Sequence, residues 1–534
     1  MPQYPIASHT VIPSAITEQA REPSQERASK TRPQDHEPKQ PNKWAVMGLV
    51  AVGVFMATLD SSIVTISLPT IAHTFGVPLS GAVEWVIIAY LVVVAGTLLT
   101  IGRLSDMIGR KPIWAAGLVL FTLGSTLCGA AGSLAMLIAS RALQGLGGAL
   151  LMAISPALLT SAFLPTERGR ALGFNAVVVA LGTSTGPTLG GILTTHVSWR
   201  WIFYVNVPLG IVGVLATLFV LKERTSLGKG RFDPLGAGLL ATSLVALTVG
   251  LSFGAEWGWG SPLLMTTMLV AVAAILGLSV AEQRVAHPII VLALLRRRVF
   301  LSANLSLILS FLALTAVNFL LPFYLEELRG WSTERAGLLL TAIPVTIALL
   351  APISGALADR IGTRALVASG LTIACIGLLL LAQLTAQSSL FDIVWRLVVI
   401  GAGQALFYSP NNSALMGDAP SEHQGSAAGF LATSRVIGQS VSVALAGAIF
   451  TSLGGAAAGA ALLASHPLSP AHVSSLQHMF SHSFQVTFIV CAAVAAVGIL
   501  ASFVRGKEQR NLVKRQQTAS VEGEMAPVND REEI

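Results

Sequence analysis

Apolar runs of about 18 residues or more recur from Trp44 to the region of Val504, and each is long enough to cross a bilayer as a helix. About fourteen are counted, at 44–70, 82–102, 113–131, 134–162, 170–193, 201–221, 233–253, 262–282, 299–325, 334–357, 364–384, 390–416, 424–452 and 480–504. Composition agrees: of 534 residues, 53% are hydrophobic and 11% charged, with a mean hydropathy of +0.71, far outside the soluble globular range. The expected fold class is all-α integral membrane.

An even number of spans places both termini on one side. The basic residues Arg103, Arg110, Lys111, Arg168, Arg170, Lys222, Arg224, Lys229, Arg231, Arg284, Arg296 to Arg298, Arg360 and Arg364 occupy alternate loops. The positive-inside rule makes those loops, and so both termini, cytoplasmic. This distribution also explains the pI near 9.6 without a nucleic-acid partner. Cys128, Cys375 and Cys491 lie far apart within apolar spans, so they predict packing rather than disulfides or a metal centre. Residues 1–43 and 505–534 are polar tails, and the first reads as disordered rather than as a cleaved signal.

A repeat is visible where Gly102-Arg-Leu-Ser-Asp106-Met-Ile-Gly109-Arg110-Lys111 is answered by Gly355-Ala-Leu-Ala-Asp359-Arg-Ile-Gly362-Thr-Arg364. Each copy follows the second span of a six-span half. The halves are then 44–222 and 299–504, with two inserted spans in 223–298. Two homologous bundles of this kind form an alternating-access architecture. The long loop 453–479 predicts a hairpin or surface-lying helix; its His466, His472 and His478, with His482 beyond, match no established metal-ligand spacing.

Asp60 stands in the middle of the first span, flanked by Thr58, Ser61, Ser62 and Thr65. An ionisable group inside a span marks a functional site by default. The alternative, an Asp near headgroups, is weakened by Pro69 and about nine residues, ~13 Å of helix, between it and the nearer end. Arg141 in the fourth span lies at a similar depth, so the two are able to meet. A proton is then loaded or released as their separation changes; the other reading of Arg141 is a structural partner for helix carbonyls.

Gly182, Gly186 and the Gly190-Gly191 pair recur near every fourth residue around Pro187. They suit either an adaptable outer seal or ordinary small-residue packing. Asp106 beside Arg110 and Lys111, between Gly102 and Gly109, suits an ion-pair latch at the inner gate, with Asp359 in the second copy; membrane anchoring explains only the basic residues. Asn411, Asn412 and Arg435 are polar groups that either line a cavity or tie helices together. Glu256, Glu326 and Glu327 fall at span ends and read as solvated rim charges, and Phe407 and Tyr408 read as packing.

Several motifs resemble those of the 14-span drug:H⁺ antiporters of the major facilitator superfamily, and the likeness runs from Trp44 to Arg505. They are Leu59-Asp60 to Leu68-Pro69, the loop Gly102 to Lys111, Arg141-Ala-Leu-Gln144-Gly145-Leu-Gly147-Gly148, Gly182 to Gly191, and Trp199-Arg-Trp201-Ile-Phe203-Tyr-Val-Asn206-Val-Pro208-Leu-Gly210. The resemblance implies the major facilitator fold with two inserted helices, a proton-coupling role for Arg141, and an antiporter mark in the fifth span. It implies a plasma-membrane exporter that exchanges protons for amphipathic, often cationic drugs or antiseptics, acts as a monomer and needs no cofactor.

Rival expectations are a dedicated exporter of an endogenous metabolite or antibiotic, a proton-coupled importer, which the Gly186-Pro187 motif argues against, and a membrane enzyme or receptor. No phosphate-binding Gly-x4-Gly-Lys-Ser/Thr loop occurs, so transport must draw on an ion gradient, and no nucleophile or metal constellation suggests an enzyme.

Overall fold

The computed structural model describes residues 42–77, 81–164, 167–221, 234–284, 292–420, 424–463 and 469–504. Residues 1–41 and 505–534, His466 and the basic loop from Lys222 to Arg231 lie outside the described residues. Fourteen helices among those described are long and apolar enough to span a membrane. They are α1 (Lys43–Thr74), α2 (Gly81–Ile108), α3 (Arg110–Gly129), α4 (Leu134–Ala162), α5 (Arg168–His196), α6 (Trp201–Val220), α7 (Pro234–Trp257), α8 (Pro262–Arg284), α9 (Arg298–Leu328), α10 (Thr333–Leu340 continued by Ala342–Ile361), α11 (Thr363–Leu381), α12 (Leu390–Asp418), α13 (Gln424–Ser452) and α14 (Pro470–Phe503).

Two six-helix bundles result. In the first, α1 packs along α5 and α4, and α4 also holds α2 and α3. In the second, α9 packs along α13, α12 holds α10 and α11, and α14 lies on α9 and α11. The bundles meet twice in the same way: α2 lies on α13 and α5 on α10, each the second helix of one bundle against the fifth of the other. This is the pairing an internal repeat produces. The repeat is also visible in backbone geometry, because Gly109 and Gly362, each between the second and third helices of its bundle, have φ of 102° and 92°. Only glycine adopts that region without strain, which accounts for both residues at both turns.

The inserted pair is more than a linker. α7 packs on both α2 and α13, straddling one seam between the bundles, while α8 packs on α7 and leaves Met265, Leu269 and Leu276 exposed. Small residues permit this approach: a Cβ at Gly96 of α2 would lie 2.8 Å from the Ala241 Cβ of α7.

Two expectations are corrected. The last span starts at Pro470 instead of 480, because Ser469 accepts a hydrogen bond from the His472 amide at 3.3 Å and Pro470 occupies the first turn, a strong helix start that the polar residues after it had hidden. The rest of the long loop carries a short helix, Gly455–Leu463, which covers the end of α9. Glu327 is buried there against Gly459 instead of forming a solvated rim charge, and Glu326 accepts from the Thr333 hydroxyl at 2.9 Å. Both sit in the π-helical turn Tyr324–Leu328 that follows Pro322, a widened turn that directs side chains off the α-helical course. Glu256 is exposed, as expected.

Candidate functional site

The polar centre forms where α4 is pressed between its neighbours. Gly145 and Gly148 admit α2, since a Cβ at Gly145 would lie 2.7 Å from the Tyr90 carbonyl oxygen; Gly124 of α3 likewise leaves room for the Gln144 backbone, 2.7 Å from the Cβ it lacks. These close approaches bring five helices around Asp60. Its Oδ2 accepts from Arg141 Nη1 at 2.5 Å, and its Oδ1 accepts from Gln144 Nε2 at 2.8 Å and Asn206 Nδ2 at 3.3 Å. Arg141 also donates from Nε to the Val86 carbonyl at 2.9 Å and from Nη1 to Gln144 Oε1 at 2.6 Å, with its guanidinium 4.6 Å from the Tyr90 ring centroid. Gln144 Nε2 reaches Ser125 Oγ at 2.7 Å.

Asp60 is 0% and Arg141 1% exposed, so each has the other and these hydrogen bonds in place of water. The neighbouring hydroxyls on α1 turn back on the helix, as Thr58 does to the Val54 carbonyl at 2.8 Å and Ser62 to that of Leu59 at 3.0 Å.

A cavity of about 390 Å³ lies between the bundles. Arg141, Tyr90 and Met152 contribute from the first bundle and Phe311, Asn318, Gln404, Tyr408, Asn412, Arg435 and Gln439 from the second. Asp60 does not reach its wall; Arg141 stands in between. Thus Asp60 and Arg141 meet, as their depths predicted, with Arg141 in the cavity wall and Asp60 behind it.

The glycine set divides between two neighbours. Gly182, Gly186 and Gly190 press on Thr58, Ser62 and Ile66 of α1, matching residues at the same four-residue interval. Gly191 and Pro187 face α10 of the other bundle, where a Cβ at Gly191 would lie 2.6 Å from the Thr333 carbonyl oxygen and Gly337 abuts the Pro187 carbonyl. Around them Thr188 and Thr341 share a hydrogen bond at 2.6 Å, His196 and Glu334 at 3.0 Å, and Thr70 and Thr333 at 3.3 Å, while the Glu334 amide donates to Thr195 at 3.1 Å. These contacts join α5 and α1 to α10 at the end of the bundles away from Gly109. Gly186→Val is therefore expected to force α5 off α1 and to cost about 1–3 kcal/mol of stability, as overpacking does; a lowered melting temperature in a thermal-shift assay checks it, against little change for Ala at the open position Gly173.

At the Gly109 end, Arg110 donates to the Ala157 carbonyl at 2.8 Å and Lys111 to that of Leu218 at 3.4 Å, both within the first bundle. The surroundings of Gly102 and the side chains of Asp106 and Asp359 lie outside what is described. Among the cavity candidates, Asn412 and Arg435 line the wall. Asn411 does not: it is buried and donates to the Ala303 carbonyl at 3.1 Å, tying α12 to α9. Tyr408 is a wall residue rather than pure packing, whereas Phe407 is buried core.

Gln144 and Asn206 stand inside the quoted motifs, but their part in the site is visible only in the structure. Glu84 is a further buried acid, held between α2, α7 and α13 beside Gly447 and Ser252. An acid near the start of the apolar run Gly81–Leu98 was the available signal for Glu84.

Paired bundles around a central cavity, with a buried charge pair behind its wall, define a membrane transporter. The chain belongs to the Major Facilitator Superfamily, whose sequence profile matches residues 50–443 and, in a second match, 303–528. It is 36% identical over 413 residues to the riboflavin transporter RibZ of Clostridioides difficile (strain 630), covering 77% of this chain and 88% of that one. It is 33% identical to the multidrug resistance protein Stp of Mycobacterium tuberculosis (strain CDC 1551 / Oshkosh), covering 76% of each. It is 30% identical to the tetracenomycin C resistance and export protein of Streptomyces glaucescens, covering 77% and 76%. In fold it is similar to the crystal structure of a bacterial homologue of the human lysosomal transporter Spinster, with a TM-score of 0.63 at 17% identity over 87% of this chain and 98% of that one.

Proposed function

We propose that this protein is a proton-coupled antiporter of the cell membrane, working as a monomer with both termini cytoplasmic, that exports amphipathic small molecules. The observation that carries the reading is the enclosed Asp60–Arg141 pair directly behind a cavity shared by two bundles. Protonation of Asp60 cancels the charge that holds Arg141, and Arg141 forms part of the cavity wall, so the proton and the cargo act on one side chain. Export accords with the relatives named for drug resistance and for tetracenomycin C resistance and export. The relative named for riboflavin, a flat uncharged heterocycle, accords with a cargo that need not be cationic.

Gating rests on the contacts between α5 and α10. Breaking those around Thr188 and Gly191 would open the far end, and the α2–α3 turn around Asp106, Arg110 and Lys111, with its second copy at Asp359, would close the end that bears it. The test is purified protein in liposomes with an imposed pH gradient and a trapped pH-sensitive dye. Added cargo is expected to trigger proton movement that stops with a protonophore. Cargo accumulation without any proton movement would overturn the coupling.

A further inference from the structure

We infer that the cavity selects flat, largely apolar molecules bearing an anionic oxygen, and that Arg435 is the group that holds it. The inference rests on the reading of this cavity as the cargo site and names the class of cargo. Its wall contains no Asp or Glu among the described residues. The nearest membrane acid on the first bundle, Asp60, is fully buried and already accepts from Arg141, Gln144 and Asn206. A cationic cargo therefore finds no free carboxylate there.

Arg435, on α13, is the opposite case. It lines the cavity from the second bundle, forms no ion pair with any described residue, and its Nε is buried without a hydrogen-bond partner. A half-buried guanidinium inside a membrane bundle is costly without a counter-charge, and a planar anionic group of two oxygens fits its donors. Tyr90 Oη, also buried on this wall, has no hydrogen-bond partner among the described residues and offers a further donor. The apolar part of the cargo has a matching surface: Phe311 and Tyr408 stack with ring centroids 4.9 Å apart and planes 13° from parallel, and Leu314, Ile343 and Val436 complete the wall. The cavity volume of about 390 Å³ is within the range of small-molecule sites.

Two xanthene dyes of similar size separate charge from shape: fluorescein as the anion and rhodamine 123 as the cation. Binding is read by fluorescence polarisation to the full chain in nanodiscs of neutral lipid, which removes anionic headgroups as a competing source of the same chemistry. Fluorescein is expected to bind about tenfold or more tighter than rhodamine 123. Arg435→Gln should bring the two within about threefold, and Arg435→Lys should keep their order. Equal or tighter binding of the cation, binding of neither dye, or an unchanged ratio in Arg435→Gln would overturn the inference. Because the ratio is read within each variant, a change in the amount of folded protein does not move it. The anion preference without vectorial flux of either dye in liposomes would sink the transport reading and leave this one standing.

Discussion

Asp60→Asn is expected to abolish proton-coupled transport while leaving the protein inserted and folded. Asparagine keeps the shape of the side chain and an acceptor oxygen for Gln144 or Asn206, which donate to Asp60 at 2.8 and 3.3 Å. It removes the carboxylate paired with Arg141 and with it the proton-binding group of the pair. Cargo-triggered proton flux in liposomes should fall to the level of empty vesicles, whereas cargo binding at equilibrium should remain measurable, because Asp60 is behind the wall. Wild-type coupled flux from correctly inserted Asp60→Asn protein would end the coupling role assigned to this carboxylate.

Arg141→Leu should be the most destabilising single change in the first bundle. It strands Asp60 as a buried carboxylate with only two neutral donors, and breaking a buried pair from one side typically costs about 3–5 kcal/mol. It also releases the Val86 carbonyl from its 2.9 Å bond. Thermal unfolding in detergent should shift downward by many degrees. The double change Asp60→Asn with Arg141→Leu should recover most of that loss, since the stranded charge is gone, while transport stays absent. If the double variant is as unstable as Arg141→Leu, the damage comes from the Val86 and Tyr90 contacts rather than from an orphaned carboxylate.

Some of the site was legible before any coordinates. An acid and an arginine at matching depth in separate spans had few arrangements open to them, because each is costly in lipid without the other. The glycine interval on α5 likewise announced a close helix neighbour. Which neighbour each glycine meets was not legible: Gly182, Gly186 and Gly190 face α1, while Gly191 faces α10. The direction in which Asp60 points was not legible either, because its hydroxyl neighbours Thr58, Ser61, Ser62 and Thr65 line the cavity while Asp60 does not.

The sequence alone determined how many times the chain crosses the membrane, where the repeat lies, and which ionisable groups had to be paired, because length, turn glycines and the cost of charge in hydrocarbon are local properties. Packing decided the rest. It placed Arg141 between Asp60 and the cavity, left Arg435 exposed to the cavity without a carboxylate, removed Asn411 from the wall, laid α7 across the α2–α13 seam and buried Glu327 under the helix Gly455–Leu463. Each of these depends on which residues of distant helices share a face, and in an apolar medium that choice is made by the fit of small and large side chains rather than by hydrophobicity that sequence can display.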